Sequence, residues 1–269
     1  SGPGKLQMKA INEPNADLPD WDGYAGYLEE VAKTAPALNV AVLIGHHTAR
    51  RQAMGGVENR PPSETEMASM LTSVEEGMEA GAVGLSTGLV YEPGRYASTE
   101  EVADLAKVVG KYGGLYVSHM RDEGAGLLDS VRETLHIGEV SGCGVEISHH
   151  KTVGSDNWGQ VTHSLAMIEE AVAKGHDATA DQYPYTARST MLFALVQNGT
   201  FGAGDGGAMG RSEPSEVLLC SVPGRAEYEG RTLQSFVEEY DLPGEKAANR
   251  LLRDVSPDIL VAAFGMDEG

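Results

Sequence analysis

The segment Gly113 to Gly124 reads GGLYVSHMRDEG, and Val145 to Lys151 reads VEISHHK. Each holds a short apolar run closing on a matching phrase, Val117-Ser118-His119 in one and Ile147-Ser148-His149 in the other, thirty residues apart. A short β-rich run, an amphipathic stretch and a second short run make the pattern of a strand-helix-strand unit. Matching ends on two such runs predict adjacent parallel strands whose histidines emerge side by side.

The same alternation extends in both directions. Asn39 to Gly45 (NVAVLIG) reads as a strand, and Ser63-x-x-Glu66 then reads as a capping box opening a helix with Met67, Met70, Leu71, Val74 and Met78 on one face. Ala82 to Leu85 is the next expected strand, followed by a second capping box at Ser98-x-x-Glu101 with Val102, Leu105, Val109 and Tyr112 as the apolar stripe. Leu128, Val131 and Leu135 predict the helix after His119, and Leu165, Ile168 and Val172 the helix before a fifth strand, Asp177 to Asp181 (DATAD). Parallel strands joined by helices close into a barrel or open into a doubly wound sheet. No Gly-x-Gly-x-x-Gly turn or phosphate loop follows any strand, which favours a (β/α)8 barrel of the metal-dependent hydrolase kind.

Beyond Tyr185 the pattern breaks. Gly202 to Gly210 (GAGDGGAMG) reads as a flexible loop or linker. Order resumes at Glu216 to Val222, continues in helical segments at Leu233 to Tyr240 and Glu245 to Arg253, and ends in a strand at Ile259 to Phe264. The expected organisation is an irregular segment over 1–20, the central part of the barrel over 21–200, a Gly-rich loop over 201–215 and further barrel segments over 216–269. That count of strands, about seven, falls short of the eight a closed barrel needs.

With 269 residues and 41% apolar side chains, the chain can bury one sizeable core. A net charge of -20 repels nucleic acid and anionic membrane surfaces. The expected partner is a small molecule, with neither nucleic acid nor membrane involved. Two cysteines, Cys143 and Cys220, are too few for a disulfide scaffold, so a reducing compartment, the cytoplasm, is expected and both thiols are expected to be buried.

In such barrels the site is built at the C-terminal strand ends, so the residues just after each strand carry the chemistry. His119 and His149 are the candidate metal ligands, because imidazoles on strands about 4.8 Å apart can reach one ion. His150 is expected to point away and serve as structure. Lys151 is a candidate carboxylate anchor, the phenols of Tyr183 and Tyr185 stand beside Ser189 and Thr190, and Asp181 is expected to orient a histidine or a backbone turn. Ser86, Thr87, Gly88 and Tyr91 are pocket-lining candidates, His46 and His47 are expected in a loop behind the ligands, and Arg121 to Gly124 is expected to form a salt-bridged turn.

These phrases together resemble the N-acyl-D-amino-acid deacylase (D-aminoacylase) family of the amidohydrolase superfamily. The resemblance rests on WDGYAGYL (Trp21 to Leu28), Gly45-His46, GAVGLSTGLVYEPG (Gly81 to Gly94), GGLYVSHMRDEG, ISHHK, Asn157-Trp158-Gly159 and DQYPY (Asp181 to Tyr185), running from about residue 21 to 200 and more weakly over Tyr228 to Gly265. It implies zinc (Zn2+) held by His119 and His149, and substrate binding by Lys151, Tyr183, Ser189 and Tyr91. The implied reaction is hydrolysis of an N-acyl-D-amino acid to a carboxylate and a D-amino acid, by metal-activated water. In the family a His-x-His pair and a metal-binding cysteine would precede residue 1, and the general-base aspartate would follow Gly269, so no catalytic general base is expected within the chain. Two histidines make half of a tetrahedral shell, and weak metal binding by this chain alone is expected. Arg188 stands where the family usually has glycine, and a longer helical segment usually replaces Gly202 to Gly210. The alternatives are a cyclic-amide hydrolase of the dihydropyrimidinase or hydantoinase kind, which lacks the carboxylate anchor, and a non-catalytic ligand-binding fragment.

Overall fold

The computed structural model describes residues 21–202 and 204–267. The expected irregular segment 1–20 lies outside the described residues. The chain divides into two compact units: the first comprises the described residues up to Arg121 with Val131–His149 and Ala166–Asp181, the second Asp122–Ser130, His150–Leu165 and the described residues from Gln182 onward.

The first unit is a parallel α/β arrangement. After helix α1 (Gly23–Lys33), strand β1 (Leu43–Gly45) leads into α2 (His46–Met54) and α3 (Glu64–Glu79). Then β2 (Gly84–Gly88), α4 (Thr99–Lys111), β3 (Leu115–His119), α5 (Leu127–Ser141), β4 (Gly144–Ile147), α6 (Gln160–Ala173) and β5 (Ala178–Ala180) alternate without interruption. The strands pair in chain order, β1-β2-β3-β4-β5, all parallel. One face carries Ile44, Leu85, Tyr116 and Ile147, each fully buried with Met70, Val74, Val102, Leu105 and Val131 from the helices. At Gly138 the close packing of α5 on β4 excludes a side chain, since a Cβ there would lie 2.2 Å from the Val145 side chain. The hydroxyl of fully buried Tyr116 is bonded to Thr87 Oγ1 at 3.1 Å and donates to Ser118 Oγ at 3.3 Å. Burial raises the Tyr116 phenol to about 12, so it stays a neutral donor.

Strand edges differ from the sequence reading where burial, not composition, sets them. Asn39 to Val42 precede the strand rather than forming it, and the second strand is Gly84–Gly88, so Ser86, Thr87 and Gly88 are strand residues rather than loop. The capping box at Ser63 and Glu66 is complete. At Ser98 only half of one forms: Ser98 Oγ accepts from the Glu101 amide, while the Glu101 side chain turns to Arg50 and His46. On α6, Ile168 is buried but Leu165 and Val172 are about half exposed, so the expected stripe is not a continuous buried face.

The second unit does not continue the pattern. Strands β6 (Ala187–Met191), β7 (Val217–Ser221) and β8 (Leu260–Phe264) form an antiparallel sheet in the order β6-β8-β7, with α7 (Leu192–Gln197), α8 (Leu233–Tyr240) and α9 (Gly244–Asp254) between them in sequence. Leu192, Leu195, Val217, Leu219, Phe236, Leu251 and Val261 make its core. The Gly-rich stretch is packed against its neighbours instead of running free: a Cβ at Gly210 would meet Val153 O at 2.6 Å, and Gly207 N donates to Asp205 Oδ1 at 2.9 Å. Cys143 is buried as expected, but Cys220 is exposed, because it falls on the outward face of β7. Among the described residues, no helix is long and apolar enough to cross a membrane.

Candidate functional site

In the first unit, register carries the two strand-end histidines to each other. His119 is the last residue of β3 and pairs with Gly88 across the sheet, and His149 stands two residues past β4. Their facing nitrogens, His119 Nδ1 and His149 Nε2, are 2.7 Å apart, with ring centroids at 4.4 Å. Two imidazole nitrogens converging on one point from adjacent strands are a donor set suited to a transition metal.

Each ring is held from behind. His149 takes a left-handed backbone, φ +42°, uncommon for any residue but glycine. Its amide donates to the carboxylate of Asp181, which follows β5 and is itself held by its amide to Ile147 O at 3.2 Å. The orienting role expected for Asp181 is thus a bond to the His149 backbone. Tyr91 lays its ring beside His119 with centroids 5.0 Å apart. Arg121, just after His119, forks onto Glu133 at 3.0 and 2.9 Å and also donates to Ala97 O.

His46 and His47 lie at the start of α2, not in a loop. His46 Nε2 bonds Glu101 Oε1 at 2.9 Å, and Arg50 grips both oxygens of the same carboxylate at 2.7 and 2.6 Å. All three side chains are buried. Burial works to raise the Glu101 carboxyl, but the bonds from His46 and Arg50 prevail and hold it below the usual range. His47 Nε2 lies 3.0 Å from Gly88 O, and burial, with lesser contributions from neighbouring charges, lowers its pKa to about 4. It is therefore neutral near pH 7 and donates Nε2–H to that carbonyl.

In the second unit, Lys151 is buried rather than exposed, with Nζ 2.6 Å from Glu123 Oε1 and 5.5 Å from the Tyr183 ring centre. Glu123 belongs to the stretch expected to form a salt-bridged turn. Asp122 closes the turn by accepting from Gly124 and Gly126, while Glu123 makes its ion pair outside it, with Lys151. A small pocket of 70 Å³ is lined by Lys151, Trp158, Tyr183, Tyr185, Met266 and Asp267, among others. Ser189 is exposed on β6 and does not line it, while Arg188 is buried on the opposite face of the same strand. His150 is buried and bonded to Ser164 Oγ at 2.8 Å, the structural place expected of it. Sequence reading missed the Glu101 and Glu123 bonds because both residues have local readings, cap and turn, that account for them fully.

No family model matches the chain. Among curated proteins it is 40% identical to a D-aminoacylase of Alcaligenes xylosoxydans xylosoxydans over 172 residues, 64% of this chain and 35% of the relative. It is 33% identical to an N-acyl-D-aspartate deacylase of the same organism, over 85% of this chain and 43% of the relative. Among solved structures, an N-acyl-D-glutamate deacylase from Bordetella bronchiseptica, complexed with zinc and a phosphonate inhibitor, matches with a TM-score of 0.82 at 30% identity, over 96% of this chain and 50% of that one. The structure of a D-aminoacylase described as defining a novel subset of amidohydrolases matches with a TM-score of 0.79 at 32% identity, over 91% and 48%. The chain spans about half the length of these solved relatives or less of the curated ones. The family resemblance read from the sequence is borne out.

Proposed function

The chain is a relative of the D-aminoacylases, and from that premise we propose that it forms part of a metal-dependent deacylase that hydrolyses N-acyl-D-amino acids to a carboxylate and a free D-amino acid. In this reading the parallel strands belong to a (β/α)8 barrel. The observation that carries it is the convergence of the His119 and His149 nitrogens at two successive strand ends.

His119 and His149 would hold the metal, and zinc is the ion proposed. When bound, such an ion polarises the amide carbonyl and lowers the pKa of a coordinated water toward neutrality. The chain's own residues orient the ligands and bind the substrate. Asp181 holds the His149 backbone in its left-handed turn, and Tyr91 restrains the His119 ring. Lys151, backed by Glu123, supplies the cation for the substrate carboxylate, and Tyr183 adds a phenolic donor beside it. Ser189 is proposed as a further carboxylate contact. Hydrolysis adds water across the amide, its hydroxyl going to the acyl carbon and its proton to the leaving amine.

Metal analysis tests the reading. Purified chain in equilibrium dialysis against zinc is expected to retain the ion weakly, and His119→Ala to lose it. Zinc retained equally by both proteins would overturn the ligand assignment. Hydrolysis of N-acyl-L-amino acids or of cyclic amides in preference to N-acyl-D-amino acids would overturn the substrate class.

A further inference from the structure

His47 follows β1 and His119 ends β3, with β2 between them, yet a continuous set of bonds joins the two residues. The Gly88 carbonyl accepts from His47 Nε2 at 3.0 Å and from the Tyr91 amide at 3.0 Å. On the other side of the same peptide unit, the Leu89 amide donates to His119 O at 3.0 Å. The turn from Gly88 to Tyr91 is therefore gripped at its carbonyl by His47 and anchored at its amide to the backbone of His119. The far end of that turn carries the Tyr91 ring that lies against the His119 ring.

The space around His47 is tight on the side of Gly88 and Gly94. A Cβ at Gly94 would lie 2.3 Å from His47 Nε2 and 3.0 Å from Gly88 O, and one at Gly88 would lie 3.4 Å from both His47 Cε1 and Tyr91 Cδ2. Glycine at these two positions lets the ring lie between the end of β2 and the segment at Gly94. Part-buried hydrogen bonds aimed at one carbonyl fix direction more than they add stability. We infer that His47 is a positioning residue: by clamping the Gly88 carbonyl it sets the turn that holds Tyr91 against His119, and so sets the orientation of the His119 ring toward His149. The inference rests on the proposed role of the two histidines for its consequence, but not for its geometry.

Removing a residue that orients a metal-binding histidine typically weakens metal affinity by about 10- to 100-fold. The test is a titration of the purified chain with Co2+, read by its visible absorption, together with imidazole and Tyr ring NMR spectra of the metal-free protein. Three variants are compared: His47→Ala, which removes the donor; His47→Gln, which returns an amide N–H; and Gly94→Ala, whose added methyl pushes on Nε2 beside the Gly88 carbonyl. His47→Ala and Gly94→Ala are expected to weaken Co2+ binding by about tenfold or more and to shift the His119 and Tyr91 signals, with His47→Gln within about threefold of wild type. A folded His47→Ala, judged by circular dichroism, whose His119 and Tyr91 signals match wild type would overturn the inference. Wild-type chain that binds no Co2+ would count against the metal reading, and the ring signals would still decide the role of His47.

Discussion

Asp181 Oδ1 accepts the backbone amide hydrogen of His149 at a residue that occupies the left-handed region. A histidine in that conformation costs about 1 kcal/mol or more, and it persists only where neighbouring groups over-determine it. Asp181 is one such group, and its effect is directional, because the turn it stabilises is what brings the His149 ring back toward His119.

Asp181→Ala is therefore expected to weaken metal binding by about tenfold or more while costing only about 1 to 2 kcal/mol of stability. Asp181→Asn, which keeps an oxygen acceptor, should recover most of both. Metal titration beside thermal unfolding checks this; equal losses in the two variants would show that the charge, not the acceptor, matters.

The Lys151 and Glu123 pair is buried, and removing one member of a buried pair leaves the other charge in a low-dielectric site. Lys151→Met is expected to destabilise the protein by about 3 to 5 kcal/mol. The double change Lys151→Met with Glu123→Leu should recover a large part of that stability, yet not the binding of a substrate carboxylate. Chemical denaturation of the single and double variants, with a carboxylate-bearing inhibitor titrated into each, separates the structural role from the binding one.

Glu101 gives a pH dependence with a definite sign. Its carboxyl is held below the ordinary glutamate range when folded, so its contribution to stability is complete above the unfolded pKa and is lost as pH falls toward the folded one. Glu101→Gln should therefore be less stable than wild type at about pH 7, and the gap should narrow steadily as pH falls below about 4.5. Melting temperatures of the two proteins across that range check it, and a gap that widens in acid would contradict the assigned direction.

Much of the first unit could be read directly from the residues. The Ser63 cap, the helical stripes after it and the alternation of short apolar runs all follow from local periodicity, and the five parallel strands lie where those runs stand, displaced by a few residues at their ends. The second unit was less legible. Ala187–Met191 is a strand although Ala-Arg-Ser-Thr-Met shows no apolar alternation, because Arg188 and Thr190 are the residues it buries. Its antiparallel partners were read as further parallel strands, since a short apolar run does not declare its direction.

The sequence by itself determined that His119 and His149 stand at the same ends of neighbouring strands, because one strand-helix unit separates the two matching phrases. It likewise carried the kinship with the D-aminoacylases, which is a matter of residues in order. Only the tertiary structure decided which polar groups serve those histidines. Asp181, Tyr91 and, through the Gly88 carbonyl, His47 lie 32, 28 and 72 positions or so from the rings they restrain, and they meet them because adjacent strands bring distant residues within hydrogen-bond reach. A hydrogen bond depends on distance and angle in space, and periodicity along a chain carries neither.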